Sequence, residues 1–428
     1  MSACGGWDCG VMFEKVRNMR KRKPEILAPA SSLDVLKTAV QYGADAVYIG
    51  GELYGLRAKA KNFSAEAMAE GIQYAHEKNK KVYVTANITA HNRDLEGVRA
   101  YFHELKELAP DALIISDPGV FSIAKEICPE IDIHISTQSN NVNYMTFRFW
   151  KEQGAARVVT ARELSMEEIA QIRGNIPDDL EIETFVHGAM CISYSGRCLL
   201  SNYFTGRDAN LGACTHPCRW KYYIMEEKRP GEFLPVEENE RGTYIFNSRD
   251  LCMIEHIPEL IQAGVDSFKI EGRMKTALYV ATVVRAYRQA VDDYFENPQR
   301  YAERIPHYRQ EIGKCTYRPF STGFFFGPTT HESQIYDHNT YVQGAVFLGM
   351  IDRVEEDGSG WFEQKNKFSA GDTVEIMKPS GENVVTKVMA MYDEAGQAIT
   401  SCPHPAVNIR IRTECRLAPY DIIRGTGD

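Results

Sequence analysis

At 428 residues the chain is longer than one ordinary domain needs, and 44% hydrophobic with 25% charged residues is the composition of folded globular proteins. A net charge of −9 excludes wholesale coating of nucleic acid and leaves only local basic patches, such as residues 20–23 (a solvated face on its own), Arg57 to Lys61, and Arg219 with Lys221. No run approaches the roughly 18 apolar residues of a membrane helix, and MSACGGWDCGVMFEKVRNMRKRKPEIL lacks the apolar core of a secretory signal, so a cytoplasmic protein with no membrane partner is expected.

Residues 1–23 read as a disordered leader, with Met12 the expected start. From Pro24, short apolar runs alternate with amphipathic ones. EILAPA (25–30) reads as a strand, and SLDVLKTAVQYGA behind it has apolar residues at helical spacing and a Ser N-cap. AVYIGG (46–51) is a second strand closed by glycines, and KVYVTANI (81–88) a third, after a helix at 65–78. DALIISD (111–117), IDIHIS (131–136), ARVVTAR (156–162), EIETFVHG (181–188) and VDSFKIEG (265–272) follow as the fourth to eighth. Runs that are apolar throughout suit a parallel sheet covered on both faces. Eight of them with helices between predict an α/β fold, a (β/α)8 TIM-like barrel over 24–295. The competitor is an open doubly wound sheet, but no G-x-G-x-x-G follows the first strand. Residues 296–340 show no helical period and read as a linker. In 341–428, GAVFLGMID, GDTVEIM and VNIRIR alternate with turns, as in a small all-β barrel.

In such barrels the functional groups lie where the strands end. Seven of the connections there are short or moderate, whereas the one after the seventh strand, 188–250, is very long, and overlong loops are usually functional. It carries Cys191-x6-Cys198-x15-Cys214-x3-Cys218, with Cys252 just beyond. In a reducing compartment such thiols are better read as metal or redox groups than as disulfides. Four thiolates are what a 4Fe-4S cluster takes from its protein. Zinc is the alternative, but the paired C-x2-C hairpins of zinc ribbons are missing. Cys191, Cys198 and Cys214 are common to both ligand sets, and the fourth ligand is Cys252 or Cys218. Cys128, Cys315, Cys402 and Cys415 read as packing residues.

The segment ETFVHGAMCISYSGRCLLS resembles the signature of the collagenase-like peptidase U family, historically peptidases of unknown catalytic type. PEILAPASSLDVLKTAVQYGADAVYIGG, RAKAKNFS, DSFKIEGRMKT, RPFSTGFFFG and NKFSAGDTVEIM resemble it too, and the likeness runs from Pro24 to Arg424. Within the family the chain is most similar to the longer bacterial members associated with prephenate-dependent hydroxylation of wobble uridine in tRNA. Related members serve ribosomal RNA and oxygen-independent ubiquinone hydroxylation. The resemblance implies a barrel, an iron–sulfur cluster, prephenate as co-substrate and the tRNA anticodon loop as partner. An electron-donor protein and a homo-oligomeric or related-subunit partner are further expectations.

In that reading a uracil is unstacked into a pocket and hydroxylated at its 5-position. Arg57, Lys59 and Lys61 are candidates to hold phosphates or a dicarboxylate, since Arg grips carboxylates bidentately. Gln138, Asn140 and Asn141 are candidates to read a base edge, or else are plain loop and capping residues. His187 and Glu271 are the candidates for proton transfer, with Glu183 four residues before His187 and Arg273 placed to pair with Glu271. Proteolysis is the competing class, but no nucleophile stands out, an iron-bound thiol is not available for attack, and G-x-S-x-G and H-E-x-x-H are both absent. Two more alternatives are hydroxylation of another RNA or a small molecule, and a non-catalytic adaptor docking tRNA through the β-domain. In that domain Asp352, Glu355, Glu356 and Asp357 counter Lys365, Lys367 and Lys378, so no RNA grip is evident.

Overall fold

The computed structural model describes residues 22–51, 62–191, 194, 198–207, 214–215, 217, 238–239, 242–243, 249–327, 342–402 and 405–426. The leader expected at the amino terminus lies, but for its last residues, outside the described residues.

Eight parallel strands close on themselves: Glu25–Pro29, Ala46–Gly50, Lys81–Ala86, Ala112–Ile115, Asp132–Ile135, Arg157–Val159, Glu181–Gly188 and Ser267–Ile270. The last is the closing strand, set against the first through Ile26↔Phe268 and against the seventh through Phe268↔Thr184. This is the expected (β/α)8 barrel. Ile26, Val47, Val82, Leu113, Ile133, Val158, Ile182 and Phe268 bury against the helices, while Leu27, Ala46, Tyr48, Tyr83, Ala112 and Ile114 form a second buried cluster inside the barrel. Both faces are covered, so the strands read as continuous apolar runs. The helices start on side-chain caps: Ser32, Ser64, Asp117, Ser165 and Thr276 each accept a backbone N–H.

The end of the barrel where the strands begin is filled by charge. Buried Arg157 bonds Glu25 at 2.6 Å, Glu181 at 2.5 Å and Glu183 at 3.0 Å, and Lys269 Nζ bonds Glu183 at 2.6 Å. Glu183 therefore belongs to this plug, not to a proton relay with His187.

The long connection after the seventh strand holds a short helix, Leu200–Thr205, and returns as a strand, Asp250–Cys252, antiparallel to the seventh through Cys252↔His187 and Leu251↔Gly188. Phe320–Ser321 pairs on its far side.

The stretch expected as an aperiodic linker opens with a helix, Pro298–Ile312, packed along Ala277–Glu296 through buried Tyr301, Tyr308 and Ile312. Its many charges and internal Pro306 hide that apolar stripe from the sequence. Beyond it lies an eight-stranded antiparallel sheet from Ala345–Met350 to Ile422–Thr426, with Leu348, Phe362, Ile376, Ile409, Ile411 and Ile423 among its core residues. The sheet sits on the barrel through Tyr42, Leu278 and Ala281 against Met377 and Ile422. Among the described residues no helix is long and apolar enough to cross a membrane.

Candidate functional site

Close backbone approach shapes the mouth of the barrel. Gly50 ends the second strand, and a Cβ there would stand 2.0 Å from Arg273 Nη2. Gly188 ends the seventh strand at φ +109°, and a Cβ there would meet the Glu271 carbonyl oxygen at 2.6 Å. Through these two gaps the segment after the closing strand folds over the mouth. Arg273, 5% exposed, reaches across to Thr85 Oγ1 at 3.2 Å and Asn62 Oδ1 at 3.3 Å. Glu271 donates its backbone N–H to the His187 carbonyl at 2.8 Å. Tyr48 Oη donates to the Ile270 carbonyl at 2.9 Å and lies 3.5 Å from Glu271 Oε2, and Tyr279 Oη donates to the Glu271 carbonyl at 3.0 Å. Glu271 and Arg273 thus both lie at the mouth. Tyr48, Thr85 and Asn62, which hold them there, were not singled out from the sequence; their positions near the ends of the second and third strands are the signal that marks them.

His187 is buried among Tyr279, Tyr287 and Phe320, with ring centroids at 6.0, 5.6 and 5.5 Å. Burial, with the positive charge of Lys275, lowers its pKa to about 3, so the imidazole is neutral at physiological pH. Its Nδ1 lies 3.5 Å from Tyr287 Oη, which donates to the Val186 carbonyl at 2.8 Å and accepts from Met253 N–H at 3.0 Å.

The four described candidate ligands lie in two pairs. Cys191 and Cys252 leave one antiparallel strand pair, close to Gly188↔Leu251 and at Cys252↔His187. Cys198 precedes the helix Leu200–Thr205, and Thr215 next to Cys214 donates its N–H to Ser201 Oγ at 3.0 Å, which draws Cys214 to that helix. Burial pushes the Cys252 thiol up to about 11. None of the described cysteines forms a disulfide. Cys218, the alternative fourth ligand, lies outside the described residues. Among the described residues no group of three or more His, Cys, Asp or Glu is placed to hold a metal ion.

Arg57, Lys59 and Lys61 lie outside the described residues. Asn141 is structural: buried, it donates to the Ser136 and Val159 carbonyls at 3.3 and 3.1 Å and accepts from Trp150 Nε1 at 3.1 Å. Gln138 and Asn140 differ from it, since Gln138 Oε1 and Asn140 Oδ1 are buried without a hydrogen-bond partner. A cavity of about 520 Å³ lined by Arg148, Lys151, Glu152, Asn175, Ile176 and Pro177 opens where two helices end, at the opposite end of the barrel from these groups.

Comparison with known proteins follows the same division of the chain. It is 39% identical over 404 residues, 94% of its length and 95% of the relative's, to "tRNA hydroxylation protein P1" of Bacillus subtilis (strain 168). To "23S rRNA 5-hydroxycytidine C2501 synthase" of Escherichia coli (strain K12) it is 32% identical over 337 residues, 78% of the chain and 49% of the relative. To "Uncharacterized protease MJ0090" of Methanocaldococcus jannaschii it is 43% identical over 305 residues, 71% of the chain and 73% of the relative. The sequence pattern of Peptidase family U32 matches residues 31–335 and that of the Peptidase family U32 C-terminal domain residues 343–424, and the chain belongs to this family.

Proposed function

We propose that the chain is an RNA-modifying hydroxylase that places a hydroxyl group on the 5-position of wobble uridine in tRNA, with prephenate as co-substrate and a 4Fe-4S cluster as its redox centre. The carrying observation is the 39% identity, over nearly the whole of both chains, to a protein named for tRNA hydroxylation. The mouth supports it with a buried arginine, a buried carboxylate and a neutral imidazole beside the thiol-bearing connection. In this reading Arg273 holds an anionic group of RNA or co-substrate, and Glu271 is the candidate for proton transfer. The cluster, bound by Cys191, Cys198, Cys214 and either Cys252 or Cys218, would supply electron transfer. The peptidase reading has less support: the hydroxyl 3.5 Å from His187 Nδ1 is the Tyr287 phenol, and the Cys252 thiol opposite His187 is pushed up to about 11 by burial, away from a nucleophilic thiolate.

Two measurements test this. Anaerobic purification with iron, sulfide and zinc analysis should give about four irons and four sulfides per chain, lost in Cys198→Ala. Stoichiometric zinc, or no metal, sinks the redox centre. Nucleosides of tRNA from a strain lacking the gene should lack 5-hydroxyuridine derivatives, and their persistence sinks the substrate assignment.

A further inference from the structure

Among the described residues, three side chains on one side of the mouth keep polar atoms without a hydrogen-bond partner. Gln138 and Asn140 follow the fifth strand, and Arg162 follows the sixth. Their backbones are laced together: Thr137 Oγ1 donates to the Thr160 carbonyl at 2.8 Å, Ala161 N–H donates to the Asn141 carbonyl at 3.1 Å, and Asn141 and Thr160 form a parallel bridge. The Arg162 guanidinium lies 4.0 Å from the centroid of the Phe185 ring, on which the Lys269 ammonium also sits, at 5.5 Å. This stacking fixes the guanidinium plane without using its N–H donors. Among the described residues the Arg162 side chain makes no hydrogen bond or ion pair. Burial raises the pKa of the neighbouring Glu163 carboxyl, against the lowering pull of the Arg162 charge. Gln138 Oε1 and Asn140 Oδ1 are buried acceptors with nothing to accept.

We propose that this side of the mouth reads the imide edge of a uracil ring, with Arg162 donating to a ring carbonyl and Asn140 and Gln138 accepting the N3–H. The inference rests on the RNA-hydroxylation reading above and names the residues that select its base. Buried oxygen acceptors call for a ligand that brings a hydrogen-bond donor, which an ionised phosphate or carboxylate cannot supply and the N–H of a base edge can. A fixed guanidinium needs an acceptor beside that N–H. The C(=O)–N(H)–C(=O) edge of uracil offers both on adjacent atoms. Cytosine offers a donor and an acceptor as well, N4–H2 beside N3, but shifted by one position along the edge, so oxygens set to meet the central N3–H face the N3 lone pair instead. The Asn140 amide cannot turn to suit cytosine without loss: its Nδ2 donates to the Gln138 carbonyl at 2.9 Å, and its backbone is held at φ 53°. Guanine shares half the pattern through O6 and N1–H, and is the competitor to test.

The experiment is fluorescence anisotropy of anticodon stem-loop RNAs that differ only in U, C, A or G at the wobble position. The protein is the full chain, anaerobically purified, as wild type, Arg162→Ala, Arg162→Lys and Asn140→Ala, with melting curves to confirm folding. Wild type should bind the U form roughly tenfold more tightly than the C form, the range expected of a base-edge contact. Arg162→Ala and Asn140→Ala should each bring that ratio to within about twofold while still binding the stem. Arg162→Lys, which lacks the planar fork, should not restore it. Equal affinity for U and C, equal affinity for U and G, or a U preference unchanged in Arg162→Ala overturns the proposal but leaves RNA hydroxylation standing. Failure of every stem-loop to bind overturns both.

Discussion

A methyl group on residue 50 would have to share space with Arg273 Nη2, and that collision separates function from stability. The atom struck is the mobile end of a long side chain, so the backbone need not move. Gly50→Ala should therefore melt within a few degrees of wild type while Arg273 loses its place against Thr85 and Asn62. If Arg273 holds an anionic substrate group, hydroxylation should fall by about tenfold or more, mainly through KM, since one charge-assisted hydrogen bond is worth about 1.5–3 kcal/mol. Unchanged activity in tRNA nucleoside analysis of the complemented deletion strain would remove Arg273 from substrate binding. At this scale the sequence showed which residues stand at the strand ends, and so named Glu271, Arg273, His187, Gln138 and Asn140. It could not show which of two neighbouring amides is spent inside the fold. Asn140 and Asn141 look alike in sequence, and only their hydrogen bonds divide a satisfied core amide from an unsatisfied acceptor.

Among the elements, the strand Asp250–Cys252 decides where the long connection returns. It is pinned by a buried ion pair, Arg318 to Asp250, with Nε at 3.0 Å and Nη2 at 2.9 Å. Removing one partner of a buried pair costs about 3–5 kcal/mol, because the other is left charged in an apolar setting. Asp250→Ala should lower stability by about that amount and loosen the strand from His187. Maleimide labelling of Cys252 in the native protein should then quicken relative to wild type; equal rates would mean the strand is held by its backbone pairing alone. The barrel strands were legible because each is apolar on both faces, and the capped helices because Ser or Asp precedes an apolar period. The helix Pro298–Ile312 was not, since its buried positions Tyr301, Tyr308 and Ile312 stand among charges that pack at the seat of the carboxyl-terminal sheet. Nor does spacing alone tell how cysteines pair in space. Only the returning strand and the Ser201–Thr215 contact sort four of them into two groups.

Across the molecule, buried charge among the described residues gathers in the plug around Arg157, at the mouth around Arg273, in the Arg318–Asp250 pair and at the joint between barrel and sheet. The joint is built by Arg424, fully buried, which bonds Glu311 of the linker helix at 3.1 Å and Glu375 of the sheet at 2.7 Å. Lys314 adds a bond to Glu375 at 2.8 Å, and Tyr42 Oη of the barrel donates to the Met377 and Tyr420 carbonyls of the sheet at 2.9 and 2.7 Å. Burial alone would raise the Glu311 pKa, but Arg424, Lys314 and Asn383 outweigh it and hold the carboxyl at about 2, below its ordinary 4.5. The folded state thus prefers the ionised form more than the unfolded chain does. That preference stabilises the joint fully above pH 4.5 and is lost as pH falls from 4.5 toward 2. Glu311→Gln should be less stable than wild type at neutral pH, and the difference between the two should shrink across that window. Differential scanning calorimetry from pH 7 downward checks the sign. A stability gap that stays constant with pH would show that Glu311 contributes packing to the joint, and that its charge is not what holds the sheet to the barrel.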